Sequence, residues 1–219
     1  MAKGSVINLD FHSFTDPGTG ARVTRLTPPE VLCHRNYFYQ KCFTQDGRQL
    51  LFAAEFDGHR NYYLLDRQQR QAVQLTEGAG DNTFGGFLSP DDRFLYYVKN
   101  ERELRRVTLS TQEESTVYRV PEEWVGYGTW VANSECTSLV GIEIDRRDWM
   151  PLTDWQVFHT FFTKNHVVAC CASIFTAAKP RLSTKPPPGS GIQFTVPMTI
   201  AAWRSAMRGR TIGSTPACG

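Results

Sequence analysis

The run Thr83-Phe84-Gly85-Gly86-Phe87-Leu88-Ser89-Pro90-Asp91-Asp92-Arg93-Phe94-Leu95-Tyr96-Tyr97-Val98 decides the fold. It reads as two apolar strands joined by a polar tight turn. In Ser89-Pro90-Asp91-Asp92, proline presets one backbone torsion, and the aspartates can accept hydrogen bonds from nearby backbone N–H groups. Phe94, Leu95, Tyr96, Tyr97 and Val98 are the kind of bulky, aromatic and β-branched side chains that suit a pleated, half-buried surface.

The same design recurs on either side. Phe43-Thr44-Gln45-Asp46-Gly47-Arg48-Gln49-Leu50-Leu51-Phe52 lies about 45 residues upstream, and Trp130-Val131-Ala132-Asn133-Ser134-Glu135-Cys136-Thr137-Ser138-Leu139-Val140 about 44 residues downstream, a spacing typical of propeller blades. Ordinary β-hairpins also carry Asp-Gly and Pro-Asp turns. Turn, flanking aromatics and spacing agree here, so the expected fold is all-β, an arc of a β-propeller.

Bulk properties narrow the function. The 219 residues carry a formal charge of +2, which argues against general nucleic-acid or membrane-surface binding. No apolar window is long enough to span a bilayer, and the first residues lack the apolar core of a secretory signal. Six cysteines form no CxxC pair, which predicts reduced thiols and a cytoplasmic location.

Along the chain, residues 1 to about 30 read as a lead-in with one strand near Arg22–Thr27. First-blade strands are expected at Tyr37–Thr44, Gln49–Glu55, Arg60–Asp66 and Ala72–Thr76. In the second blade, Glu103–Thr108 and Ser115–Val120 follow the opening stretch. The third blade begins near Tyr127 and continues at Leu139–Ile144. Asp145 to Trp155 is an insertion, and Gln156–Phe162 a short helix. From Thr163 to Gly219 there is no Asp or Glu, while Lys, Arg, Pro, Ala and Ser accumulate. Lys185-Pro186-Pro187-Pro188-Gly189-Ser190-Gly191 cannot be a blade strand. The organisation expected is a propeller arc over residues 1–162 and an irregular, disordered tail over 163–219.

Several stretches resemble oligogalacturonate lyase. They are Leu26-Thr27-Pro28-Pro29, Cys33-His34-Arg35-Asn36-Tyr37-Phe38-Tyr39-Gln40-Lys41, Asn61-Tyr62-Tyr63-Leu64-Leu65-Asp66 and Gln74-Leu75-Thr76-Glu77-Gly78. Gly80-Asp81-Asn82-Thr83-Phe84-Gly85-Gly86-Phe87 and Trp124-Val125-Gly126-Tyr127-Gly128-Thr129-Trp130-Val131-Ala132-Asn133-Ser134 complete the set. The resemblance covers residues 1 to about 160 and implies about three blades of a seven-bladed propeller. It implies β-elimination on short oligogalacturonides in pectin degradation. A metal, manganese in this family, would bind the uronate carboxylate, a histidine would take the C5 proton, and arginines would neutralise the acidic sugar.

The resemblance places the metal ligands and the catalytic histidine in the C-terminal half, beyond the matching stretch. His12, His34, His59, His159 and His166 show no paired spacing that would clamp a metal, so the Mn²⁺ ligands are expected to be absent from this chain and little or no activity is expected from it alone. Part of a substrate channel is what remains. His34, Arg35 and Tyr37 at the entry to an inner strand, Gln40 and Lys41 after them, and Tyr127 in the third blade are the expected contacts to oligogalacturonides. Asn82-Thr83-Phe84 and Tyr127-Gly128-Thr129-Trp130 occupy equivalent places in the next blades, where the aromatics other than Tyr127 read as core rather than contacts, and Arg146-Arg147 and His59-Arg60 read as solvated surface. An alternative from another class is a non-enzymatic TolB- or WD-like propeller fragment that acts as a binding module; such a module would lack the long lyase-like stretches.

The tail has a further peculiarity. Read one nucleotide out of frame, Gly191-Ile192-Gln193-Phe194-Thr195-Val196-Pro197-Met198-Thr199 permits H-P-I-Y-R-P-H-D, whose last residue is forced because Met is ATG and Thr begins AC. Ser205 to Ile212 permits C-H-E-G-P-H-D. These strings resemble the continuation of the same lyase and imply a frameshift near residues 162–167, followed by truncation. Sequencing the encoding DNA is expected to reveal blade-like sequence in the alternative frame; an early stop there would dispose of the idea.

Overall fold

Alternating side chains in single strands pack into two different cores, and this sets the architecture. The computed structural model describes residues 1–81, 83–127, 130–150, 155–163 and 168–174. Its strands are β1 (Val6–Asn8), β2 (His12–Thr15), β3 (Arg22–Arg25), β4 (Cys33–His34), β5 (Gln49–Ala54), β6 (Asn61–Asp66), β7 (Gln71–Gln74) and β8 (Phe87–Leu88). They continue as β9 (Phe94–Lys99), β10 (Glu103–Thr108), β11 (Glu114–Arg119), β12 (Trp124–Gly126), β13 (Val131–Ala132), β14 (Ser138–Asp145) and β15 (Val168–Ile174), with helix α1 at Trp155–Thr163. Three antiparallel sheets follow one another: β4-β5-β6-β7-β1, then β8-β9-β10-β11, then a sheet in which β12 and β13 both pair with β14 on one side and β15 on the other.

Consecutive residues of β9 show how the sheets stack. Leu95 and Tyr97 enter a core shared with Leu51, Ala53, Tyr62 and Leu64 of the first sheet. Tyr96 and Val98 enter another, shared with Trp130 and Leu139. Side chains alternate across a strand, so a strand buried on both faces reads as a continuous apolar run, as Leu51–Ala54 and Tyr62–Leu65 also do. The other face of the first sheet, Phe52, Tyr63 and Leu65, is covered by Leu9, Phe11, Leu26 and Val31.

Three equivalent turns close the β-hairpins. Thr44 Oγ1 donates to Asp46 Oδ1 at 2.6 Å, Ser89 Oγ to Asp91 Oδ1 at 2.6 Å, and Asn133 Oδ1 accepts from the Thr137 and Ser138 N–H groups. The fourth residue of each, Gly47, Asp92 and Cys136, has a φ of 67°, 59° and 55°. This shared left-handed corner is the turn predicted from the repeat.

The structure corrects three expectations. Tyr37–Thr44 is not one strand: β4 stops at His34, residues 38–39 turn, and pairing resumes at a single bridge between Phe43 and Leu50. The lead-in is part of the first sheet, since β1 pairs with β7 through Val6–Val73 and covers its outer edge. The third sheet also runs past residue 162, because β15 pairs with β14 from Ser138–Ile174 to Ile144–Val168. The tail from 175 onward lies outside the described residues. Helix α1 falls where a short helix is expected.

Trp130 lies flat over Gly141, where a Cβ would come within 2.1 Å of the indole. Gly141→Ala should therefore cost about 1–3 kcal/mol through overpacking, read as a lower urea midpoint with an unchanged m-value.

Candidate functional site

In each sheet the innermost strand breaks partway. The first resumes at Phe43 after His34, the second passes from a bridge at Asp81 to Phe87, and the third from Gly126 to Val131. Each break lifts a short loop out of the ladder, and the three loops meet. Gln40, buried, donates from Nε2 to the Gly85 carbonyl at 2.7 Å and to the Trp130 carbonyl at 3.3 Å. One side chain thus ties the first loop to the other two. Tyr37 N–H donates to the Phe84 carbonyl at 3.2 Å, and Gly86 N–H donates to the Tyr62 hydroxyl at 2.6 Å.

The expected contact residues divide into two groups. Lys41 is a strut: its ammonium donates to the carbonyls of Ser89 and Pro90 and to Asp92 Oδ1, at 3.2, 2.9 and 2.5 Å, and so clamps the second-sheet turn. Gln40 is the inter-loop tie just described. His34 Nε2 lies 2.9 Å from Thr83 Oγ1 and 3.2 Å from its carbonyl, and its ring stacks on Phe84 with centroids 4.5 Å apart. Burial, together with the charge of Arg60, pulls its imidazole below the ordinary value despite the Thr83 contact. The ring therefore stays neutral at pH 7.

Arg35 and Tyr37 point outward. Arg35 is exposed and has no ion pair among the described residues. Tyr37 forms an exposed aromatic ridge with Phe38 and Tyr39, the ring centroids 4.6 and 5.2 Å from its own. Tyr127 joins them from the third loop. Burial, with Tyr37 and Tyr39 nearby, pushes its hydroxyl up to about 12. A cleft of about 300 Å³ opens beside this cluster, lined among others by Tyr39, Gln40, Lys41 and Phe87. Arg146 hydrogen-bonds the carbonyls of Glu122 and Trp124, and Arg147 pairs with Asp145. His59 and Arg60 are exposed, as expected.

Two residues depart from the sequence reading: Phe84 was expected in the core, and Asn36 drew no separate expectation. Phe84, more than half exposed, presents its ring beside His34. Asn36 is 3% exposed, yet neither atom of its side-chain amide has a hydrogen-bond partner among the described residues. Its position inside an aromatic run gave no signal of burial.

The donor set does not suit a manganese ion. No group of three His, Cys, Asp or Glu side chains able to hold a metal occurs among the described residues. His34 faces Thr83, and Asp81 is engaged by Thr76 and Lys99. No chemical step is therefore assigned to a metal held by these residues.

The family model described as oligogalacturonate lyase matches residues 1–184, past the point near Phe162 where the resemblance was expected to stop. An oligogalacturonide lyase of Pectobacterium atrosepticum is 64% identical over 174 residues, covering 80% of this chain and 44% of its own length. An oligogalacturonate lyase of Dickeya dadantii is 63% identical over the same shares. Among solved structures, an oligogalacturonate lyase in complex with manganese is 64% identical at a TM-score of 0.75, covering 80% of this chain and 46% of that one. The Vibrio parahaemolyticus oligogalacturonate lyase is 61% identical at a TM-score of 0.72, covering 79% and 46%. The chain thus spans under half the length of the curated relatives it matches. Nothing in these comparisons favours a non-enzymatic module.

Asp81, at the start of the second loop, has its pKa raised to about 6, chiefly by burial, against the pull of Thr76 and Lys99. A raised folded-state pKa gives stability that is complete below the unfolded value of about 4 and lost as pH rises through about 6. Relative to Asp81→Asn, the wild type should lose about 2–3 kcal/mol between pH 4 and 7 in parallel urea titrations. Parallel curves would show that Asp81 titrates normally.

Proposed function

We propose, from the premise that this chain belongs to the oligogalacturonate lyase family, that its arc is the substrate-contacting front part of a lyase channel for short oligogalacturonides. The observation that carries this reading is the convergence of three interrupted inner strands on one face, tied by Gln40 and presenting Arg35 without an ion-pair partner among the described residues. An acidic oligosaccharide needs a cation for its carboxylate and flat apolar surface for its rings. Arginine meets the first need because its planar fork matches a carboxylate bidentately. Tyr37 and Tyr127 meet the second and add hydroxyls for hydrogen bonding. His34, Gln40 and Lys41 hold the loops in place and so shape the contact surface.

The proposed reaction of the whole lyase is β-elimination. The proton on C5 is acidified by the adjacent carboxylate, and its removal expels the C4 glycosidic oxygen to leave an unsaturated product. An arginine on the carboxylate would stabilise the charge that develops as the proton leaves. On this reading, manganese and the general base belong to the part of the relatives' length that this chain does not span. A truncating frameshift belongs to the same proposal, though a family match that runs to residue 184 argues for a position later than residues 162–167. A cytoplasmic location is supported by the free thiols of Cys33, Cys42 and Cys136, which suit a reducing compartment. No described helix is long and apolar enough to cross a membrane.

Purified chain mixed with trigalacturonate and Mn²⁺ is expected to give no rise in ultraviolet absorbance from an unsaturated product. Sustained turnover would overturn the division of labour proposed here.

A further inference from the structure

An exposed aromatic ring normally costs free energy to hold in one place, because ordering a side chain in water gains no burial. Phe84 is held nonetheless. Its ring is 57% exposed and stacks on His34 with an interplanar angle of 14°. Thr83, buried, anchors the His34 ring through both its hydroxyl and its carbonyl. The Phe84 carbonyl accepts from Tyr37 N–H, which fixes the backbone as well. Arg35 directly follows His34 in the chain, and Tyr37, Phe38 and Tyr39 lie on the same loop. On that loop, the buried Asn36 amide has no hydrogen-bond partner among the described residues, which leaves donor and acceptor capacity for a polar partner.

Exposed rings, with an exposed cation carried on the same loop as Tyr37, suit one ligand chemistry. The C–H face of a pyranose carries weak positive charge and lies flat on the negative face of an aromatic ring. A uronate adds a carboxylate at the ring's edge, which an arginine beside the platform can take. A protein partner would be matched better by apolar pockets than by one ring braced flat and an exposed guanidinium on the neighbouring loop.

We infer that Phe84, braced from behind by His34, is the stacking platform for one uronate ring of the substrate, with Arg35 taking that ring's carboxylate. This rests on the functional reading above and adds a contact residue, Phe84, and a positioning residue, His34. His34 acts here through Phe84: its imidazole nitrogen is directed at Thr83 and not at the ligand.

The test is titration of the 219-residue chain with digalacturonate and with its neutral methyl ester, followed by NMR chemical shifts. Phe84→Ala and Phe84→Leu should each weaken digalacturonate binding about tenfold, whereas Phe84→Trp retains it. The Leu variant keeps apolar volume against His34 and removes only the π face, which guards against a folding artefact. Arg35→Ala should weaken the acid and leave the ester unchanged. If the wild type binds and both Phe84 variants bind within twofold of it, the platform is wrong while the channel reading stands. If the wild type binds neither sugar, both fail.

Discussion

Two cores share one strand, and the rest of the structure depends on that. Residues 95 to 98 alternate between a core with the first sheet and a core with the third. Neither face of the second sheet is left to water, so the sheets stack in chain order. The spacing of the hairpins then brings the inner strands to one side. A sheet with only one apolar face would have paired once and stopped.

Stacking alone would make a plain arc. The inner strands become useful because each gives up part of its ladder. Breaking a ladder leaves backbone groups unpaired, and those groups must be satisfied elsewhere. Gln40 satisfies the Gly85 and Trp130 carbonyls, Tyr37 satisfies that of Phe84, and the Tyr62 hydroxyl accepts the Gly86 N–H. These substitute bonds cross between sheets, whereas ladder bonds stay within one. The interruptions therefore bind the sheets together and also carry the candidate contacts.

Charge is divided in the same way. Lys41 and Asp92 are consumed in joining neighbouring turns, and Lys3, Arg105 and Glu114 form a chain of ion pairs that reaches from the first residues to the second sheet. Arg35 is spent on none of these. A guanidinium left out of such networks on an otherwise aromatic loop is the feature most easily explained by a ligand.

Much of this was legible in the residues. Asp46-Gly47, Pro90-Asp91-Asp92 and Asn133 to Cys136 announce turns because their side chains accept local N–H bonds and their fourth residues adopt a left-handed φ. Leu51–Ala54 and Phe94–Val98 announce strands by residue type, although the expected half-buried surface proved to be covered on both faces in Leu95–Val98. Candidate positions on the first loop were legible by type. What each one does there was not, because His34, Arg35, Tyr37 and Lys41 are equally plausible contacts until their partners are known. Those partners lie nearly fifty residues away, as with His34 and Thr83. Local sequence determined turns, strands and residue chemistry. Tertiary structure alone decided where the inner strands break, that Lys41 is a strut, and that Phe84 rests on His34, since those outcomes depend on contacts between sheets that no local pattern encodes.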